Sequence, residues 1–287
     1  MVGPDYYRRN ALEARTCLSI IRDVSPVITT AIDGGHTTRA GRVAGAFRSI
    51  GREELADSML SMMRQVGYVV KEENPFEEDV RVDIIETSPY AARIKLMWQK
   101  MRPAVISCLA SAGIVQKPQD VTSVLAMMDA TYIKDSYNSL SIEGYKITEG
   151  LLEKVRSGNW DPKNNEEDKE RKNALAARGY YQSYQLLRQN IAEVFAGQDP
   201  SQMYVKNHQS WHFQLFEPCI RAGIIKASDL VGYRTHQVYI RNSMHVPLNP
   251  DAVLDAMMAL STLMQEEPDV FVRAVLGHFF FVYIHPF

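Results

Sequence analysis

Apolar residues recur at helical spacing along most of this chain. Val253, Met257 and Leu260, for example, lie on one face of a 3.6-residue period, and this pattern predicts an amphipathic helix. Pro26 and Pro103 are predicted to interrupt two of the periodic segments. Helices are predicted over 10–32, 37–50, 53–66, 88–102, 121–136, 149–157, 174–195, 209–222, 250–264 and 269–283. The sequence therefore predicts a mainly α fold.

One short stretch departs from the helical period. Val238, Tyr239 and Ile240 are β-branched or aromatic, and the turn-forming pair Asn242-Ser243 follows them closely. Such residues favour strands, and a polar pair after them favours a tight turn. We therefore predict one β-hairpin over 233–247.

Proline and acidic residues cluster between positions 74 and 87, which predicts a domain boundary. The chain then divides into an N-terminal accessory region, 1–80, and a larger domain, 81–287. In the first region two short helices precede a predicted short strand at 68–71, and helix, helix, strand is the order of a small winged-helix module. Its arginines could contact phosphates, although a solvated helix face is the commoner role of such a series. They are Arg39, Arg42, Arg48 and Arg52.

Composition places the chain among ordinary globular proteins. Its residues are 46% apolar and 23% charged, and the net charge is −2. A charge this close to zero gives the whole molecule no general attraction for nucleic acid or an anionic membrane. Nucleic acid therefore remains an open partner for the N-terminal region alone.

The cysteines and the apolar runs indicate a cytoplasmic protein. The three cysteines, Cys17, Cys108 and Cys219, lie far apart and lack metal-ligand spacing, so buried, reduced thiols are expected. Neither an N-terminal secretory signal nor a run long enough to span a bilayer is recognised. No membrane partner is expected.

Three sequence elements occur in an order that resembles the Fic (filamentation induced by cAMP) family. Ser139-x-x-x-Glu143-Gly144 is similar to the family's inhibitory motif. Leu-Val-Gly-Tyr-Arg followed by Val-Tyr-Ile, within 230–240, is similar to its target-binding flap. His285-Pro286-Phe287, after an apolar helix, is similar to the start of its signature. The resemblance covers roughly 88–287 and implies a helical Fic core with one hairpin flap.

The resemblance implies a catalytic role for His285. In the family this histidine is the general base that takes the proton of an attacking hydroxyl, and the ring of Phe287 packs into the core to fix the loop. An acidic residue that holds Mg²⁺, glycines and arginines follow in the family signature. The printed chain ends at Phe287, so no metal ligand is predicted within it and the chain alone is expected to be inactive. ATP and Mg²⁺ are the implied ligands.

Two further roles follow from the resemblance. Ser139, Glu143 and Gly144 would form an inhibitory helix near 136–145, in which a partly buried Glu143 competes with the γ-phosphate of ATP for an arginine. Val238, Tyr239 and Ile240 would pair through their backbone with an extended target segment.

The implied function is that of a self-inhibited protein adenylyltransferase, which transfers AMP from ATP to a Ser, Thr or Tyr hydroxyl of a target protein. The alternative is a Fic-derived helical regulatory or nucleic-acid-binding module without catalysis. AMP removal, another transferred group, self-modification and homo-oligomer formation stay open, as do the target and the role of the N-terminal region.

Two other groups of residues have structural interpretations. His208 and His212 have the i, i+4 spacing of metal ligands, but the neighbouring Trp211 and Phe213 favour packing. The methionines Met257, Met258 and Met264 are interpreted as core or gap-filling residues.

Overall fold

The structure, a computed structural model, describes residues 3–76, 88–115, 119–158, 171–241 and 243–287. These residues are mainly helical, as predicted. The α-helices within them are α1 (Pro4–Arg9), α2 (Ala11–Ser19), α3 (Ser25–Asp33), α4 (Thr37–Ser49), α5 (Glu53–Gln65), α6 (Pro89–Ser111), α7 (Val121–Ile142), α8 (Glu149–Arg156), α9 (Arg171–Phe195), α10 (Pro200–Arg221), α11 (Pro250–Glu266) and α12 (Val270–Ile284). A short 3₁₀ helix spans Ala227–Leu230.

Proline ends one predicted helix and not another. The segment 10–32 divides into α2 and α3, and Pro26 lies in the first turn of α3, where its missing N–H costs nothing. The predicted break at Pro103 does not occur, because α6 continues through it to Ser111. A proline inside a helix removes one backbone hydrogen bond, and the turns on either side of Pro103 retain the helical path.

The predicted β-hairpin is not formed in the described residues 233–241 and 243–247, which contain no strand. Asn242, in its predicted turn, lies outside the described residues. The side chain of Gln237 donates to Val238 O at 3.1 Å and to Pro247 O at 3.0 Å. A side-chain amide thus bridges the two arms of the segment where a ladder of backbone bonds was expected.

The chain divides into two compact units. The first comprises Met1–Lys100, Ala227–Leu263 and Ala274–Phe287, and the second comprises Met101–Lys226 and Met264–Arg273. The boundary predicted near residue 80 falls within 77–87, which lies outside the described residues. Most of the charged loop predicted at 161–172 also lies outside the described residues.

Apolar side chains from the helices of the first unit form its core. The short strand predicted at 68–71 is not formed in these described residues. The segment instead lies against α4, and Glu73 N donates to Gly41 O at 3.2 Å. A Cβ at Gly41 would collide with the carbonyl of Lys71, so glycine is required for this close approach. The largest fully buried side chains of this unit are Phe47, Phe280, Ile28, Ile50, Met59, Met63, Ile94, Met257 and Leu260.

In the second unit, α7, α8, α9 and α10 pack together. Leu140, Leu152, Val155 and Ala177 are buried in one apolar cluster of this unit. The helix α7 is longer than predicted and carries the Ser139–Gly144 motif at its end. Asp199 caps α10 by accepting the backbone N–H groups of Ser201 and Gln202, both at 2.9 Å.

Candidate functional site

The helix α12 brings His285 to the surface of the first unit. Leu276, Phe280 and Ile284, at i, i+4 spacing, are each no more than 1% exposed, so this stripe fixes the helix in the core. Phe280 also stacks on Trp98 of α6, with ring centroids 5.7 Å apart. The last turn of α12 is therefore held firmly, and His285 is the first residue beyond it.

The backbone of His285 has an unusual conformation. Its φ is 52°, and it is the only non-glycine residue with positive φ among those the structure describes. The N–H of His285 donates to Phe281 O at 2.9 Å, which is the single bond of a left-handed helix cap. The following residue, Pro286, has no N–H and cannot add the second bond. A left-handed non-glycine residue costs about 1–2 kcal/mol, so other contacts must compensate.

Arg234 supplies several of those contacts. Its Nε donates to His285 O at 2.6 Å, and Nη2 donates to Ile284 O at 3.3 Å and to Leu248 O at 2.5 Å. Nη1 donates to His236 O at 3.0 Å. The residue is 8% exposed, and burial lowers the pKa of its guanidinium. Arginine remains protonated at neutral pH, so a buried cation lies at the negative end of α12.

The loop 233–248 makes further bonds to the end of α12. The N–H of Arg234 donates to Pro286 O at 2.9 Å. Nε2 of His245 donates to Tyr283 O at 2.9 Å, and the two rings lie 4.9 Å apart. The carbonyls of four successive residues, 283–286, thus accept hydrogen bonds from this one loop. Since carbonyls at a helix end lack partners within the helix, the loop acts as a tertiary cap.

The residues predicted to form a target-binding flap lie within this loop. Tyr239 is 76% exposed, whereas Val238 and Ile240 are partly buried. In the part of the loop that the structure describes, the backbone of Tyr239 makes no hydrogen bond. Tyr239 therefore presents an exposed aromatic ring on a loop without a strand in its described residues.

Phe287 is partly buried beside the same loop. Its ring lies 5.6 Å from the ring of Tyr233 and 6.3 Å from that of Phe281. These contacts attach the last residue of the chain both to the start of the loop and to α12.

Glu143 and Gly144 form the end of α7 in the second unit. Glu143 is exposed rather than partly buried as expected, and it is the C-cap residue of α7. Gly144 has φ 83°. The N–H of Tyr145 donates to Leu140 O and that of Gly144 to Ser141 O, both at 3.0 Å, and this pair of bonds defines a Schellman motif.

Ser139 lies beside a group of tyrosines that the sequence did not reveal. Its hydroxyl oxygen is 3.4 Å from Tyr180 Oη, which donates to Asp135 at 2.5 Å. Burial, and secondly the bond to Asp135, raise the pKa of Tyr180 to about 12. A neighbouring tyrosine, Tyr184, donates to Asp129 at 2.6 Å. The only signal for this network is the i, i+4 spacing of the tyrosines on a predicted helix.

The two histidines with metal-ligand spacing pack inside the second unit. Nδ1 of His208 donates to the carbonyls of Tyr204 and Val205, at 3.1 and 3.0 Å. Burial lowers the pKa of His208, and burial followed by the proximity of His208 lowers that of His212 to about 4. Both rings are therefore neutral near pH 7. No group of three or more candidate metal ligands occurs in the described ranges.

Three of the four N-terminal arginines have contacts within the protein. Arg48 donates to Glu72 and Asp57, both at 2.7 Å. Arg52 donates to the carbonyls of Ser19 and Ile21, at 3.1 and 3.0 Å, and Arg42 lies 3.4 Å from a carboxylate oxygen of Glu73. These contacts favour a structural role over phosphate binding.

The structure tests the predicted burial of the cysteines and shows whether any described helix could cross a membrane. All three cysteines are unpaired, but Cys17 and Cys108 are exposed and Cys219 is partly exposed, so the prediction that they are buried was wrong. Each cysteine lies on a different helix, α2, α6 or α10, and the sequence gives no signal of its exposure. Among the helices described, none is long and apolar enough to cross a membrane.

Comparisons of this chain with protein-family models, with curated proteins and with solved structures gave no match. The resemblance to the Fic family therefore rests on the three sequence elements around Glu143, Tyr239 and His285.

Proposed function

We propose that this chain belongs to a Fic-type protein adenylyltransferase, which transfers AMP from ATP to a Ser, Thr or Tyr hydroxyl of a protein. One observation carries the proposal: His285 is held beyond the end of α12, in a left-handed conformation, by a loop that exposes Tyr239. Strained residues held by surrounding contacts concentrate at functional sites. The juxtaposition of a fixed histidine and an open peptide-like loop supports a reaction on a bound protein segment.

In this proposal His285 is the general base. A neutral imidazole takes the proton of the acceptor hydroxyl, and the hydroxyl oxygen attacks the α-phosphorus of ATP. The bond to the β-phosphate oxygen breaks, and pyrophosphate leaves. Histidine suits this role because its ordinary pKa lies near neutral pH.

Mg²⁺ would neutralise phosphate charge in such a reaction. The described residues contain no group of acidic or imidazole ligands that would hold the ion. The described residues therefore do not form a magnesium site, and none of them is assigned a role in binding the metal.

The loop 233–248 would receive the target. The backbone groups of Tyr239 would pair with an extended segment that carries the acceptor hydroxyl, and its exposed ring would cover that segment. Such pairing selects an extended shape more than a particular sequence.

Self-inhibition through Glu143 completes the proposal. The exposed carboxylate at the end of α7 is available to an arginine, and the Schellman motif fixes its backbone. An arginine paired with this carboxylate would be withdrawn from the γ-phosphate of ATP. The unpaired thiols are consistent with a reducing, cytoplasmic location.

The proposal is tested on the protein together with whatever sequence its gene encodes after Phe287. An acidic residue followed by Gly-Asn-Gly-Arg is expected there. Incubation with labelled ATP and Mg²⁺ should then label a protein acceptor or the enzyme itself, and His285→Ala should prevent it. A stop codon or an unrelated sequence after Phe287 would contradict the proposal.

A Fic-derived regulatory or nucleic-acid-binding module has less support. Its sequence evidence was the winged-helix order of elements in the N-terminal region and the incomplete signature after His285, and the strand of that order is not formed in the described residues 68–71. An arginine series in the same region was the possible phosphate contact. Arg42, Arg48 and Arg52 are engaged by carboxylates or carbonyls of the protein, which leaves only Arg39 of that series exposed without such a contact among the described residues.

A further inference from the structure

We infer that Arg234 is the residue that positions His285, and that it couples His285 to the loop 235–248. The left-handed backbone of His285, the carbonyls at the end of α12 and both ends of the loop meet at this one guanidinium group. The inference assigns a role to a residue that the sequence showed only as part of Leu-Val-Gly-Tyr-Arg.

The planar fork of arginine explains why this residue type is used. Its three nitrogens bond in three directions: Nε to His285 O, Nη1 to His236 O, and Nη2 to both Leu248 O and Ile284 O. Lysine would bring one ammonium with three donors and no planar fork, so it could not reach all four carbonyls in the same arrangement. The geometry therefore requires arginine and not simply a positive charge.

Burial makes these bonds strong. Arg234 is 8% exposed, and burial, with no carboxylate partner among the described residues, lowers its pKa. Its charge is stabilised by carbonyl dipoles at the end of a helix, where a cation is favoured. Each bond from a buried charged donor is stronger than a neutral one. Loss of the fork would remove these bonds to the carbonyls and, with them, the part of the compensation for the left-handed conformation of His285 that the guanidinium supplies.

The same bonds link His285 to the loop. His236 O and Leu248 O lie at the two ends of the segment that contains Tyr239, and both bind the guanidinium that binds His285 O. A segment that docks on Tyr239 and shifts the ends of the loop would therefore also shift the backbone of His285. This part of the inference rests on the proposed function, because it assumes that the loop receives the target.

The first test needs no variant and no activity. In NMR spectra of the wild-type chain, the Nε–H of Arg234 is expected to exchange slowly, at a rate close to that of the His285 amide, since one opening event exposes both. Exchange of the Nε–H at the rate of a free arginine would overturn the inference.

The second test compares Arg234→Lys with Arg241→Lys, an exposed arginine of the same loop. Arg234→Lys should speed exchange of the His285 amide by about 10- to 100-fold, the factor for losing one bond from a charged donor. It should also move the backbone coupling and carbon shifts of His285 away from those of a left-handed residue. Arg241→Lys should change neither quantity.

These readouts separate positioning from general stabilisation. A residue that only stabilised the fold would lower the midpoint of unfolding but leave the left-handed φ of His285 intact in the folded molecules. If Arg234→Lys keeps that φ, or if Arg241→Lys disturbs it equally, the inference is wrong.

A third experiment tests the coupling between the loop and His285. Tyr239→Ala should leave the exchange rate of the Arg234 Nε–H unchanged, because Tyr239 takes no part in the bonds of the guanidinium. An extended peptide carrying serine, added to the wild-type chain, should shift the NMR signals of Tyr239 and His285 together. Signals of Tyr239 that move while those of His285 do not would overturn the coupling. Absence of adenylyl transfer by the protein that includes the sequence encoded after Phe287 would refute the proposed function and leave the positioning results standing.

Discussion

Two helices of this protein end at residues that the sequence marks for function, and they end in different ways. The helix α7 ends at Glu143 with Gly144 in the left-handed conformation, and α12 ends with His285 in that conformation. The first end is completed by bonds within a few residues, and the second by a loop about 50 residues away in sequence, at Arg234. One is a local structure and the other is a tertiary one.

The end of α7 needs no contact with distant residues. Glycine adopts positive φ without steric cost, so the bonds from Gly144 and Tyr145 back into α7 suffice. Glu143 can then be exposed and can respond to a partner. The tertiary end holds a residue that would not adopt its conformation alone. The difference suggests that His285 is fixed for a single geometry, whereas Glu143 is free to change its contacts.

The largest effect is expected at His285. In the encoded protein, His285→Ala should lower the rate of labelled-AMP incorporation by about 10²- to 10⁴-fold, the usual contribution of a general base. ATP affinity, measured by calorimetry, should change little because the base acts on the acceptor. His278→Ala is the matched control, since His278 is an exposed histidine of the same helix. Transfer that persists at the wild-type rate in His285→Ala would remove the catalytic role.

A smaller effect of opposite sign is expected at Glu143. Glu143→Gly should raise incorporation, starting with self-modification, by about 5- to 150-fold, the range of typical regulatory coupling. In the proposed mechanism, an arginine that would pair with this carboxylate then becomes available to the γ-phosphate of ATP.

Glu149→Gly serves as the control for Glu143, because Glu149 is also exposed and lies in the first turn of α8. Its loss should not activate the enzyme. Equal activity of Glu143→Gly and wild type, in a protein that requires His285, would remove self-inhibition from the proposal.

These two helix ends also show how far the sequence could predict the structure. The glycine at 144 and the inhibitory spacing around it are local signals, and helix formation over most of the chain followed from periodicity. The prediction ended one helix at 136 and assigned 136–145 to a separate inhibitory helix, whereas α7 continues without a break to Ile142.

The site at α12 was predicted less completely for a physical reason. Val238, Tyr239 and Ile240 have strand-forming side chains, but the hydrogen bonds of their loop go to Arg234, Gln237 and the end of α12. The bonds at Arg234 and Gln237 are made by side chains and not by a backbone ladder. The bond from His245 to Tyr283 joins residues far apart in sequence, and neither kind of bond leaves a periodic pattern. Arg234 stood out only as a charge among apolar residues, and its contacts could not be predicted.

A third test replaces the glycine of the local end. Gly144→Ala should destabilise the end of α7 by about 1–2 kcal/mol, because alanine is strained at φ 83°. The expected sign is a loss of stability in urea unfolding, together with faster exchange of the Tyr145 amide, whose bond to Leu140 O closes the motif. Gly150→Ala, in the first turn of α8, is the control, since a Cβ there meets only the Thr148 hydroxyl at 4.0 Å. Unchanged exchange at Tyr145 would contradict a locally determined end.

The converse substitution should have the smallest effect. His285→Gly removes the strain of a left-handed non-glycine residue, about 1–2 kcal/mol. It also increases the freedom of the unfolded chain, which costs about 0.4–1 kcal/mol. From these two contributions the free energy of unfolding should rise by about 0–1.6 kcal/mol, measured by urea titration of the chain. A decrease in the free energy of unfolding would mean that contacts of the imidazole, and not Arg234 alone, stabilise the end of α12. The end of α12 would then be stabilised by the side chain of His285 itself as well as by the loop, whereas the end of α7 is stabilised by backbone bonds.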